Sequence, residues 1–348
     1  PAGTTDVAAA PGEEVSLPIS LVGDVTGIDE GTFVPSFRVK IDDLDLARLA
    51  PLAGEIWSGG ANFYRNFQPS GRVDVALELH RQAPADAPLQ LSGTIQLRDG
   101  RVVNKWFPYP AENVSGLITL EPHRLSIARM EGRHGAAQMT VSGRVDDPDG
   151  PGESVDLTIQ CRGVALDESL REAVAHGFPE QLALYDSLHP EGQVDVKVHV
   201  TEDLTRGERL DAVADITLRD AKVRYDAFPY AVEGGVGSLR LTGHRVDVDV
   251  RGRHGPAEVG IRGDIQWGSD NPSSRAALRL SVTGRNVPLD EDLAAALPAE
   301  QRATYNEYHL TGSADMTFDI TCDEATGWKV VHRGDIELKN VGLVFEAF

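Results

Sequence analysis

The sequence predicts a mainly β fold built from tandem units of about 120 residues. Each unit holds about six antiparallel strands and a short helical flap. Two observations carry this reading. The first is a recurring segment: GRVDVALEL at Gly71 returns as GQVDVKVHV at Gly192 and as GSADMTFDI at Gly312, 121 and then 120 residues later. The second is its period. Val73, Val75, Leu77 and Leu79 alternate with polar residues, as do Val194, Val196, Val198 and Val200, and then Ala314, Met316, Phe318 and Ile320. A period of two places such residues on one side of a strand.

The rest of the unit recurs in step. LRDGRVVNKWFPYP at 97–110 returns as LRDAKVRYDAFPYA at 218–231, and EGRHGAA at 131–137 returns as RGRHGPA at 251–257. GVALDESL at 163–170 returns as NVPLDEDL at 286–293. Ile19, Leu21, Gly23 and Val25 match Met139, Val141, Gly143 and Val145, which match Val259, Ile261, Gly263 and Ile265. The resulting division is a linker over 1–14, a partial unit over 15–70, full units over 71–191 and 192–311, and a partial unit over 312–348. Phe348 falls where Phe228 stood one repeat earlier. On this reading the chain is a piece of a longer array. It then either pairs end to end with another copy or leaves its C-terminal segment disordered.

Within the unit that begins at Gly192, strands are expected near 192–200, 211–226, 236–242, 244–253, 257–266 and 274–285. Turn signals at 242–244, 252–257 and 268–274 separate the later ones. The preceding unit has one residue more between His123 and Gly132 than this one has between His244 and Gly252. An extra residue in a strand predicts a β-bulge. Asp167 and Asp290 suit helix N-caps, and Pro179 suits the first turn of a second short helix. Tyr64, Tyr185 and Tyr305 recur in this flap.

Composition narrows the function. The formal net charge of −21 argues against a phosphate-neutralising nucleic-acid surface and against lying flat on an anionic membrane. Cys161 and Cys322 are the only cysteines and do not occupy equivalent repeat positions, so no repeated disulfide or metal framework is expected. No apolar run of membrane-spanning length occurs. HExxH, P-loop, GxSxG and CxxC motifs are missing, so no catalytic residue, metal or cofactor is assigned and the chain is read as not an enzyme. Asp146, Asp147 and Asp149 lack the spacing of a calcium loop, and Asn113-Val-Ser115 is a glycosylation sequon by pattern alone. His134 and His254 read as turn residues with polar tips in water. Phe107-Pro108-Tyr109 and Phe228-Pro229-Tyr230 read as buried hinges between strands, or as an aromatic lip on an apolar groove.

The run LRDG…FPYP…, the GRHG turn followed by MTVSGRV, and the V-x-L-D-x-x-L closure resemble the AsmA/TamB-type repeats of bacterial bridge-like lipid-transfer proteins. The resemblance covers about residues 15–348. It implies an elongated, twisted half-pipe whose apolar inside carries acyl chains. It also implies a place in the periplasm or cell envelope, with a membrane anchor outside this chain and a phospholipid or other acyl lipid as partner. The groove candidates are Val73, Val75, Leu77, Leu79, Ile95, Leu97, Val194, Val196, Val198, Val200, Ile216, Leu218, Met316, Phe318, Ile320, Ile336 and Leu338. Periodicity says that these share a face; the resemblance is what makes that face lipid-lined. Two other classes stay open: a structural or adhesive β-repeat with a closed core, and a module that assists outer-membrane protein assembly through an open strand edge.

Overall fold

The computed structural model describes residues 19–26, 34–50, 60–81, 90–148, 150–267 and 276–343. The linker read over 1–14, the turn read at 268–274 and the last five residues lie outside them. Sixteen strands follow one another in chain order within one open sheet. They are β1 (Ile19–Thr26), β2 (Val34–Asp45), β3 (Ser70–His80), β4 (Gln90–Val102), β5 (Ala111–Glu121), β6 (Arg124–His134), β7 (Ala137–Asp146) and β8 (Ser154–Ala165), then β9 (Glu191–Asp203), β10 (Glu208–Tyr225), β11 (Phe228–Thr242), β12 (Arg245–His254), β13 (Ala257–Gln266), β14 (Ala277–Pro288), β15 (Thr311–Cys322) and β16 (Val331–Gly342). Among the described residues, helices come in pairs after β2, β8 and β14: α1 (Leu46–Leu49) with α2 (Gly60–Phe67), α3 (Glu168–Gly177) with α4 (Leu182–Leu188), and α5 (Glu291–Ala296) with α6 (Ala299–Glu307). Contacts divide the chain into two compact units. The first holds β1–β6 and most of β7; the second holds α3–α6 and β11–β16; β8, β9 and β10 are divided between them.

The second and third flaps start at the caps the sequence predicts, and the first starts at an aspartate the sequence reading did not single out. Asp45, Asp167 and Asp290 accept hydrogen bonds from the N–H groups of Ala47, Leu170 and Leu293, satisfying donors that a helix leaves orphaned. Each flap leaves through a left-handed residue: Gln68 (φ 42°), His189 (φ 42°) and His309 (φ 41°).

Just before the first and third flaps the ladder bulges. The register shifts between Ile41 and Leu44 of β2 and between Gly284 and Val287 of β14. Asp43, Gly163 and Asn286 take positive φ at the three equivalent places. A bulge frees a backbone N–H from the ladder, and that donor needs a partner. Here a carboxylate on the strand after the flap supplies it. Asp43 N–H donates to Asp74 Oδ1 (2.8 Å), Gly163 N–H to Asp195 Oδ1 (2.9 Å) and Asn286 N–H to Asp315 Oδ1 (2.8 Å). A cation from the following strand completes each clasp: Arg98 on Asp74, Arg219 on Asp195 (2.6 Å) and Lys339 on Asp315 (2.5 Å).

The bulge expected in the first full unit is real. Leu117 pairs with Arg129 but Ile118 pairs with Ile127, which leaves Ala128 as the extra residue of β6. The equivalent β11–β12 ladder runs without a shift from Val236 to Thr242. Between β12 and β13 a two-residue turn, Gly255-Pro256, closes the hairpin, with His254 opposite Ala257. Gly255 sits at φ 52°, which glycine adopts without the cost a β-carbon would bring.

Two expectations are corrected. His134 and His254 are not water-facing turn residues. Their rings stack on Tyr109 and Tyr230 at centroid distances of 4.0 and 3.9 Å. Their Nδ1 atoms lie 3.0 Å from Pro110 O and 2.7 Å from Ala231 O. The turn is made by the Gly that follows, which leaves each His free to close over its tyrosine. The Phe-Pro-Tyr motif is a hinge only once. Residues 103–110 form a loop between β4 and β5, but Phe228-Pro229-Tyr230 begins β11 directly after Asp226-Ala227. In both copies the tyrosine is the buried aromatic.

Candidate functional site: an apolar sheet face

Register places the alternating residues in rows that cross the sheet. In the first compact unit one row runs Leu21, Val39, Leu77, Gly93, Leu120 and Leu125, from β1 to β6. The next runs Ile41, Val75, Ile95, Ile118 and Ile127, and a third runs Leu44, Val73, Leu97, Gly116 and Met130. Residues opposite one another in a ladder share a face, so these rows are one surface.

The second unit repeats the pattern from β10 to β16. One row reads Leu218, Gly237, Val250, Ile261, Val282, Phe318 and Gly334. Its neighbour reads Ile216, Leu239, Val248, Gly263, Leu280, Ile320 and His332. The opposite face is charged. Asp215, Arg240, Asp247, Asp264 and Arg279 follow one another across it. Exposed ion pairs such as Arg240–Asp215 (3.1 Å) and Arg262–Asp249 (2.8 Å) sit among these strands. Such pairs contribute little stability and mark a solvated side.

In each unit, among the described residues, the apolar face is covered at its flap end. Under the first flap, Leu44, Val73, Val75, Leu97 and Val114 are buried, with Leu46 and Leu49 packed on them. Under the third, Tyr230, Ala257, Val287, Leu289, Leu293, Ala296 and Ala314 form a second core. Further along the same strands Leu77, Leu79, Ile95, Val196, Val198, Val200, Ile216, Leu218, Met316, Phe318 and Ile320 are half-buried. Ile336 and Leu338 are each 56% exposed; among the described residues β16 has a neighbour on one side only.

Glycines interrupt the rows where a side chain has no room. A β-carbon on Gly93 would lie 2.1 Å from Ala76 O, and one on Gly263 2.0 Å from Arg279 O. Both sit at positive φ, 145° and 148°, a conformation that residues with a side chain rarely adopt.

Burial also sets the electrostatics beneath the flaps. Burial, reinforced by Asp290 and Asp292, pushes the Tyr230 hydroxyl up to about 12. Burial and Asp45 do the same to Tyr64, whose hydroxyl donates to Leu46 O at 2.9 Å. Burial also pushes the free thiol of Cys161 up to about 11, which disfavours the reactive thiolate. The carboxyl of Asp315 is held below its usual range by Asn286 N–H and then by Lys339. For Asp195, burial opposes ionisation, but Gly163 N–H and Arg219 outweigh it and the net shift is downward.

Sequence reasoning missed the clasp, although its signal was present: the aspartate in GRVDV, GQVDV and GSADM recurs with the strand. It also missed β2 as part of the face, because Asp42-Asp43 breaks the alternation at the bulge. Among the described residues no group of His, Cys, Asp and Glu is placed to hold a metal, and no helix is long and apolar enough to cross a membrane. Comparison with family models, with curated proteins and with solved structures finds no match.

Proposed function

We propose that this chain is the acyl-chain-binding segment of a larger cell-envelope protein of the AsmA/TamB type, carrying phospholipid or another acyl lipid along its apolar face. One observation carries the reading: the apolar rows cross every strand from β1 to β6, and again from β10 to β16, while among the described residues the flaps cover only the strand ends. A half-exposed face of this kind is costly in water and rare without a ligand or partner. The six-strand rows are roughly 24 Å wide at a spacing of ~4.8 Å. An acyl chain laid on them regains about 0.8 kcal/mol for each methylene removed from water. No bond is made or broken. The protein replaces solvent with hydrocarbon.

The test is mass spectrometry of organic extracts of the purified protein, followed by rebinding of a fluorescent fatty acid to delipidated material. Co-purified lipid and saturable probe binding, displaced by phospholipid, are expected. Absence of both would leave the closed-core repeat as the better reading.

A further inference from the structure

The first flap differs from the second in its surface. The loop after β4 runs along the end of α2: Val103 N–H donates to Phe67 O (2.9 Å) and Lys105 N–H to Asn66 O (2.7 Å). The second flap repeats this seam with Asp226 N–H on Ser187 O (2.9 Å). The backbone is shared but the side chains are not. In the first flap Asn104 Oδ1 accepts from the N–H groups of Trp106 (2.8 Å) and Phe107 (3.0 Å). This tight turn leaves Trp106 57% exposed, with Phe63 of α2 at 37%.

Charge follows the aromatics. Residues 60–72 and 97–107 carry Arg65, Arg72, Arg98, Arg101 and Lys105 against Asp99 alone. Asp43 holds Arg72 and Asp74 holds Arg98. Arg65, Arg101 and Lys105 are exposed, and among the described residues no carboxylate pairs with them. The matching residues 181–193 and 218–228 carry Arg219, Lys222 and Arg224 against Asp186, Glu191, Asp220 and Asp226. There Asp186 replaces Arg65, Asp226 replaces Lys105 and Ala227 replaces Trp106.

We propose that the first flap is a docking surface for an anionic lipid bilayer, with Trp106 and Phe63 entering the headgroup region and Arg65, Arg101 and Lys105 meeting the lipid phosphates. Indole rings favour that depth, where the ring leaves water and its N–H stays hydrated. Lysine and arginine near an anionic leaflet supply the second attraction that stable anchoring needs. The net charge of −21 does not forbid this. Charges more than a Debye length away, about 10 Å at 0.1 M salt, are largely screened, so local charge decides. The proposal stands apart from the acyl-chain reading, since it uses none of the apolar rows.

Flotation of the full chain with vesicles tests it. Vesicles of phosphatidylcholine alone are compared with vesicles containing about one-third phosphatidylserine, at low and high salt. Binding is expected only to the anionic vesicles, and to weaken with salt. Lys105→Asp with Trp106→Ala, which imports the second flap's residues, should cut the bound fraction by roughly tenfold or more without moving the melting temperature. Arg65→Glu alone should weaken binding in the same direction, so a misfolded double variant would not shelter the idea. Three outcomes overturn it: no flotation, equal flotation with neutral vesicles, or undiminished binding by the variants. Preferential capture of a single-stranded oligonucleotide by the same residues would overturn it as well.

Discussion

Val194 and Val196 stand two residues apart on one side of β9, yet they live in different surroundings. Val194 is 4% exposed, while Val196 is half-buried. The same step is taken on β15, from Ala314 (0%) to Met316, and over four residues on β3, from Val73 (2% exposed) to Leu77. On β3 and β15 the difference is made by the flaps, which pack in the clusters that hold Val73 and Ala314, and Val194 holds the place on β9 that Val73 holds on β3. Helices α5 and α6 have six and nine residues, about 9 and 14 Å of helix, whereas β14 has twelve residues, roughly 40 Å of strand. A cover that short closes the strand ends and no more. Stability is therefore concentrated at the flap end, and the remaining length of the same apolar stripe is left to bind something else.

The comparison breaks most sharply with a charge. Val194→Asp should cost about 3–5 kcal/mol, because the carboxylate would be buried without a partner. Urea denaturation should show a correspondingly lower midpoint at unchanged slope. Leu293→Ala comes next. Leu293 is 6% exposed in the core beneath the third flap, and its truncation should cost about 2–3 kcal/mol, toward the low end for a buried leucine because α5 sits at the surface and can settle. A loss below about 1 kcal/mol would mean that the flap is an ornament on the sheet and not its clamp.

How much of this could be read beforehand depends on how local the cause is. Alternation at Val194–Val200, the caps at Asp167 and Asp290, and the extra residue that became Ala128 are local patterns and were legible. The stack of His254 on Tyr230 was not, because the tyrosine lies 24 residues upstream and is brought close only by the β11–β12 hairpin. Nor could the sequence say which part of an apolar stripe stays open. Val194 and Val196 are the same residue in the same alternation; only the reach of the flap tells them apart. Ile336 and Leu338 illustrate the same limit: they continue the rows as expected, but they are exposed on β16, which among the described residues has a neighbour on one side only.

The clasp sharpens the comparison, since it ties the covered end together by polar bonds. Asp195→Asn keeps an oxygen for Gly163 N–H but loses the charge that Arg219 binds, and should cost about 1–2 kcal/mol. The aspartate's folded pKa lies below its ordinary value of 3.8. A depressed carboxylate stabilises the fold fully above the unfolded value and loses that contribution as pH falls through the folded one. The gap in urea midpoint between wild type and variant should therefore be constant from neutral pH to about pH 5 and close below about pH 4. A gap that widened on acidification would show that Asp195 is not the stabilising anion.

The smallest effect on stability should come with the largest effect on binding. Val196→Asp places a carboxylate on the same stripe as Val194, but where water already reaches. The charge can stay hydrated, so the fold should lose no more than about 1 kcal/mol. An acyl chain crossing that point would meet a hydrated anion in place of a methyl pair. It would have to strip the carboxylate of water or lose its own burial there, and either penalty exceeds the ~0.8 kcal/mol gained from one methylene. Bound lipid, or the fluorescent fatty acid that replaces it, should fall away while the melting curve stays near wild type. Conversely, if Val196→Asp unfolds the protein as readily as Val194→Asp, the face is closed along its whole length and the distinction between covered and open strand disappears, and with it the proposed route for lipid.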